Sequence, residues 1–312
     1  MSGERTLVTG ALGCIGAWTI RALLDDGEEP VGYDLGGSRH RLELVTTPDE
    51  LAGVELVDGD VTDRDALERV IDERGITRVI HLAALQVPFC KADPALGARV
   101  NVGGTVNVFE AVKRRLDRIP GVVYASSAAV FAPDDPSPAP ETGGTRPMTH
   151  YGVYKLANEG TARIYWADDG VPSIAFRPFV VYGPGRDQGI TSSPTQAMEA
   201  AARGEGFEIT FGGTAQYDYA PDVALALVQA SRAVREGAGA YTYPGITASM
   251  AEVVAAIEAA APEVAGKITW PDQPLPFPAE LQHDGLEAAI GPIRKTPLAD
   301  GVRETVEVFS RR

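Results

Sequence analysis

The chain has 312 residues, 44% of them hydrophobic, with 28 Lys and Arg against 43 Asp and Glu and a formal net charge of −15. That is enough apolar content for one large domain or two unequal ones, and an acidic chain with no basic cluster is a poor partner for nucleic acid. No run is long enough to cross a membrane, and Cys14 and Cys90 form neither a C-x-x-C pair nor a disulfide framework, which suits a cytoplasmic protein.

The N-terminus runs directly into an apolar strand, without the basic region and apolar stretch of a signal peptide. Residues 5–9 read as that strand. Gly10-Ala-Leu-Gly-Cys-Ile-Gly16 follows and opens an apolar helix to about Leu24, the order that dinucleotide binding requires. Glycines there let the backbone turn tightly and approach a pyrophosphate held against the free N–H groups of a helix start. The spacing is G-x-x-G-x-x-G, not G-x-G-x-x-G, so the loop alone is weak evidence. A second strand, 30–34, ends in Asp34, 18 residues beyond Gly16. A carboxylate at that point would accept the adenosine ribose hydroxyls and repel a 2′-phosphate, which points to NAD. Arg39 and Arg41 keep a phosphorylated cofactor open, and a solvated turn residue is the plain alternative for Asp34.

Strand and helix keep alternating: a strand at 54–57, a helix at about 63–74, a strand at 78–82, a long helix at about 94–116 carrying Asn101 and Thr105, and a strand at 122–127. This pattern predicts a Rossmann-type, doubly wound parallel sheet with helices on both faces. Asp60 and Val61 follow the third strand, placed to meet an adenine. After the fourth come Leu82, Ala83 and Ala84, small enough in part for a cofactor to lie close, while His81 reads as structural. Residues 133–148, rich in Pro, Gly, Thr and acids, read as an exposed loop. In the helix expected from Tyr151 to about Trp166, Tyr151 and Lys155 share a face. A phenol titrates near ~10, and a cation beside it favours the phenolate. Such a base can take an alcohol proton while a cofactor takes the hydride.

The strand at 173–177 completes the sheet, and 178–185 is the expected boundary. The reading is a cofactor domain over 1–180 and a smaller α/β substrate lobe over 181–312, partly interleaved with the first. Helices are expected near 193–203, 221–235, 250–261 and 298–310, with short strands near 208–211 and 240–243.

Thr9-Gly-Ala-Leu-Gly-Cys-Ile-Gly16, Asp34, Asp60, His81-Leu-Ala-Ala84, Asn101-Val-Gly-Gly-Thr105, Ser126-Ser-Ala-Ala-Val130, Tyr151-x-x-x-Lys155 and Arg177-Pro-x-x-x-Tyr-Gly-Pro184 occur in that order. In this the chain resembles the extended short-chain dehydrogenase/reductases, in particular their NAD-dependent epimerase/dehydratase group. The likeness covers more than half the chain and loosens beyond Gly185. It implies that Tyr151 is the base, that Lys155 lowers its pKa and holds the nicotinamide ribose, and that Ser127 hydrogen-bonds the reacting oxygen. Gly10, Gly13, Cys14, Ile15 and Gly16 would cradle the pyrophosphate of NAD, Asp34 its ribose, and Asp60 and Val61 its adenine. Leu82, Ala83, Ala84, Asn101 and Pro178 complete that set. Gln86, Ser127, Ala128, Tyr151, Phe179 and Arg186 would face a small-molecule substrate, and no metal is expected. A homodimer pairing the helices at 94–116 and 151–166 is also implied, each helix apolar on two sides.

The departures narrow the function. Ala128-Ala129 follows Ser127 where dehydratases of the group carry an Asp-Glu pair, which disfavours dehydration. Val180 and Ala215 stand where nucleotide-sugar members usually have Asn and Arg, and the segment 212–223 has no Arg at all. The expected function is therefore an NAD-dependent oxidoreductase acting on a secondary alcohol of a sugar or sugar acid, with Arg186 free to pair with a single carboxylate. A nucleotide-sugar 4-epimerase is the alternative. A non-catalytic NAD-binding regulator is disfavoured, because it has no need of Ser127, Tyr151 and Lys155 together.

Overall fold

The computed structural model describes residues 4–142 and 145–311. In chain order its strands are β1 Thr6–Thr9, β2 Val31–Asp34, β3 Glu55–Asp58, β4 Arg78–His81, β5 Val122–Ala125, β6 Ser173–Arg177, β7 Val180–Tyr182, β8 Phe207–Glu208, β9 Thr214–Tyr219, β10 Ala238–Thr242, β11 Ile246–Ser249 and β12 Ile268–Thr269. Its α-helices are α1 Cys14–Asp25, α2 His40–Val45, α3 Pro48–Gly53, α4 Arg64–Glu73, α5 Val87–Ala92, α6 Pro94–Ala98, α7 Gly104–Lys113, α8 His150–Asp169, α9 Ser193–Ala202, α10 Ala220–Ala233, α11 Met250–Ala260, α12 Asp284–Ile290 and α13 Leu298–Ser310.

The main sheet is parallel throughout, in the order β10-β6-β5-β4-β1-β2-β3. Every residue of β1, β4 and β6 is buried, as expected of strands covered on both faces. The chain order reverses between β1 and β4, so the crevice at their carboxyl ends is where a doubly wound sheet accepts a ligand. Thr9 pairs with His81 there, and Asp34 stands beside Asp58 at the ends of β2 and β3. β10 returns from the second half of the chain to lie against β6, with Ala240 opposite Ala175. The remaining strands form two small sheets, β11-β9-β7 and β12-β8. Tyr182, Met198, Tyr217 and Ile257 pack together over them.

The structure departs from the sequence reading in several places. The helix expected at 94–116 is interrupted by a wide π turn at Arg99–Gly103 and ends at Lys113. α2, α3, α5 and α12 were not foreseen, because a six- or seven-residue helix has too few turns to show a period. For α3 the local chemistry is clear in retrospect: Thr47 and Glu50 close a capping box around Pro48. β9 occupies part of the Arg-free segment 212–223, which was read without a strand. α8 is capped by Thr149, whose hydroxyl accepts from the Gly152 N–H, and ends at Gly170 with φ +66°. Its outer face leaves Val153, Ile164 and Trp166 exposed.

Candidate active site

A cleft of about 560 Å³ opens at the reversal point of the sheet. Gly10, with φ +72°, packs so closely on the next strand that a Cβ would lie 2.6 Å from the Ala83 nitrogen, and a Cβ on Gly16 would run into the Gly10 carbonyl oxygen. Only glycine satisfies both positions. Gly13 begins α1 with no side-chain cap, which leaves the first N–H groups of a 12-residue helix facing the cleft beside Cys14 and Ile15. That is a backbone cradle for a pyrophosphate. Burial pushes the Cys14 thiol up to about 11, so it stays protonated.

Asp34 is not a solvated turn residue. Its carboxylate accepts the Leu12 N–H at 2.9 Å and the Leu35 N–H at 2.8 Å, which fixes it at the cleft edge beside the glycine loop. Arg41 is not free for a 2′-phosphate: it donates to the Leu12 carbonyl at 2.9 Å and to Asp187 Oδ1 at 2.6 Å. Arg39 does line a small pocket with Asp34 and Asp58. Calorimetric titration should show tighter binding of NAD than of NADP, and Asp34→Ala should narrow the difference several-fold. Equal wild-type affinities would show that Asp34 does not discriminate.

Asp60, Val61, Leu82, Ala83, Ala84 and Pro178 all line the cleft. Asp60 is fixed by the Thr62 N–H at 2.8 Å. His81 is structural as read: its ring nitrogens lie 2.7 Å from Thr9 Oγ1 and 3.1 Å from Thr105 Oγ1, and burial, with Lys155 adding to it, lowers its pKa to about 3. Asn101 is a correction. It sits in the π turn, 1% exposed and outside the cleft lining, and its amide accepts the Leu85 N–H at 2.7 Å and donates to the Leu85 carbonyl at 2.9 Å. It shapes the segment that carries Gln86.

Ser127, Tyr151 and Lys155 all line this one cleft. Ser127 stands just beyond β5, and its oxygen accepts the Ala129 N–H at 3.1 Å. The side-by-side placement of Tyr151 and Lys155 holds, but its expected effect on the phenol does not. Lys155 donates to the Ala125 carbonyl at 2.7 Å and lies 5.5 Å from the centre of the Tyr151 ring. Burial pushes the Tyr151 phenol above its usual value, and the groups that pull it back are Ser127 and Arg186. Lys155 itself is lowered to about 8 by burial. One turn further along α8, Glu159 is gripped by Arg177 at 2.8 and 2.6 Å and accepts from Ser126 Oγ at 2.5 Å. This buried pair fixes the helix carrying Tyr151 and Lys155 to the strand ends carrying Ser127.

Gln86, Ala128, Phe179 and Arg186 also line the cleft. Phe277 joins them unforeseen, edge-on to Phe179 with ring centres 5.6 Å apart. The Phe179 N–H is held at 2.6 Å by Asp218, a carboxyl raised to about 7 by burial. A strap, residues 183–191, crosses the cleft. Trp18 Nε1 donates to its Pro184 carbonyl at 2.9 Å, and Asp187 is clasped by Arg41 and by His40 Nε2 at 2.7 Å. Sequence reasoning missed His40, Asp187 and Phe277, and named Arg41 only as a partner for a 2′-phosphate. Asp187, next to Arg186, was the one with an adjacent signal.

Among known proteins, the family model described as the NAD dependent epimerase/dehydratase family matches residues 6–243. A UDP-glucose 4-epimerase of Mycolicibacterium smegmatis is 30% identical, over 99% of this chain and 99% of that protein. The structure of a Thermus thermophilus UDP-glucose 4-epimerase in complex with NAD superposes with a TM-score of 0.80 at 26% identity, over 98% of this chain and 99% of that one. A partial-consensus L-threonine 3-dehydrogenase reaches a TM-score of 0.85 at 24% identity, over 99% of this chain and all of the other, a likeness of fold. Matched over nearly its whole length by such proteins, the chain belongs to the NAD-dependent epimerase/dehydratase family and is an NAD-dependent enzyme of the short-chain dehydrogenase/reductase type.

Proposed function

We propose that the enzyme oxidises a secondary alcohol of a small polyhydroxylated molecule, with Tyr151 as the base. The meeting of Ser127, Tyr151 and Lys155 in one cleft with the glycine loop is the observation that supports this most. Gly10, Gly13 and Gly16 would hold the pyrophosphate of NAD, Asp34 its adenosine ribose, Asp60 and Val61 its adenine, and Lys155 its second ribose. When bound, NAD supplies the acceptor for the hydride. Ser127 would hydrogen-bond the substrate oxygen and Tyr151 take its proton. A base works best when its pKa lies near the working pH, so the pull of Ser127 and Arg186 against burial is useful to the phenol.

The size of the substrate follows from its counter-charges. A nucleotide diphosphate needs fixed cations, usually an Arg fork on phosphate oxygens. Residues 212–223 contain none, and Ala215 and Tyr217 are 2% and 1% exposed in β9, facing the core. Calorimetric titration of the NAD-loaded protein with UDP, and with UDP-, GDP- and dTDP-sugars, should therefore show nothing tighter than about millimolar, or ~4 kcal/mol. Micromolar binding of any of them would overturn the small-substrate reading.

A nucleotide-sugar 4-epimerase is the second reading, favoured by the full-length likeness to the mycobacterial protein of that name. In that reaction the hydride returns to the sugar, so accumulation of NADH separates the two.

A further inference from the structure

We infer that the substrate is a hydroxy acid, its carboxylate held by Arg186 and a neighbouring hydroxyl by Gln86. This rests on the reading of the cleft as an alcohol-oxidising site and names the class of alcohol. Arg186 reaches into the cleft from the strap with its Nε buried and without a partner, and its Nη2 donates to Thr191 Oγ1 at 3.2 Å. Among the described residues it makes no ion pair. The adjacent acid forms no salt bridge with it, because Asp187 is clasped by Arg41 and His40. Burial accordingly pushes the Arg186 guanidinium down from its ordinary value. A guanidinium removed from water without a counter-charge is costly unless an anion completes it.

Gln86 carries the complementary feature. Its Oε1 is also buried without a hydrogen-bond donor. The two groups converge on one residue of the strap: a Cβ on Gly189 would lie 2.7 Å from Gln86 Oε1 and 3.1 Å from Arg186 Nη2. Gly189 has φ +101°, so glycine both permits the turn and lets the strap close on the two side chains, with no room there for a Cβ. A cation and an acceptor that meet at one point of the cleft wall fit a carboxylate next to a hydroxyl, the arrangement of aldonic and uronic acids. Arg186 and Tyr151 line the same cleft, so the acid group and the carbon being oxidised would share it. One guanidinium matches one negative charge. A phosphate monoester, which shares the anion chemistry, brings a second charge and would need a second cation.

The test compares four-, five- and six-carbon aldonates and uronates with their neutral parent sugars and with sugar monophosphates, using NAD-loaded wild type, by calorimetry and by NADH absorbance. At least one acid should bind and be oxidised, its neutral parent being roughly 10–100-fold weaker, the usual worth of a hydrogen bond to a charged group. Arg186→Gln should remove that advantage and Arg186→Lys restore part of it, both with unchanged NAD affinity. The wild-type comparison stands even if a variant fails to fold. Neutral sugars oxidised as well as the acids would overturn the inference and leave the dehydrogenase reading intact. So would sugar phosphates binding more tightly than the acids, or no acid binding at all. Absence of NADH with every compound, together with micromolar binding of a nucleotide sugar, would overturn the reading on which the inference rests.

Discussion

Tyr151→Phe is expected to lower turnover by about 10²–10⁴-fold, the usual contribution of a general acid/base group, with NAD affinity and folding left nearly unchanged. The substitution removes one hydroxyl and keeps the ring. Lys155 rests on the Ala125 carbonyl and not on the phenol oxygen, so its position does not depend on what is deleted. Because the working form is the phenolate and burial raises its pKa, wild-type activity should climb with pH through neutrality. That rise should be absent from whatever activity the variant retains. NADH formation with an oxidised acid and calorimetric NAD binding together decide the point. A variant that binds NAD and turns over at the parental rate would remove Tyr151 from the chemistry.

Arg177→Ala should be the most damaging single change to stability, about 3–5 kcal/mol, the typical cost of leaving one member of a buried ion pair without the other. Arg177 and Glu159 are 4% and 6% exposed, and Arg177 also donates to the Glu141 carbonyl at 2.7 Å and lies over the Phe131 ring. The loss should appear as a lower denaturant midpoint. Arg177→Met combined with Glu159→Gln should recover part of it, since no buried charge is then left unpaired. A loss below about 1 kcal/mol in the single variant would mean that water reaches Glu159 and replaces the guanidinium.

How much of this was legible in the sequence depended on how local the cause was. β1, the glycine loop and α1 are specified by consecutive residues, and Asp34, Tyr151 and Lys155 declared themselves through spacing within one strand or helix. Asn101 was misread because its partner, Leu85, lies in a different segment and only packing shows that its amide is fully engaged. The clasp of Arg41 on Asp187 joins residues 146 apart in the chain, and no periodicity carries that information. Phe277 reaches the cleft from a Pro-rich stretch of the C-terminal part, where the sequence offered no element to place it on. The direction of the Tyr151 shift was missed for a different reason: proximity of a lysine was legible, but burial and the lysine's own hydrogen bond were not.

The return of β10 to the main sheet bears on how the molecule is made. β6 is buried along its whole length and has β5 on one side, but its other edge is covered only by β10, whose residues follow 178–237 in the chain. A growing chain folds from its N-terminus, so β6 stays an open, apolar edge until that entire stretch has emerged, and such edges invite pairing with foreign strands. Long-range parallel pairing of this kind is also slow to form. The sheet that carries the glycine loop, for all the independence its motif suggests, is therefore finished late, by a strand from the second half of the chain.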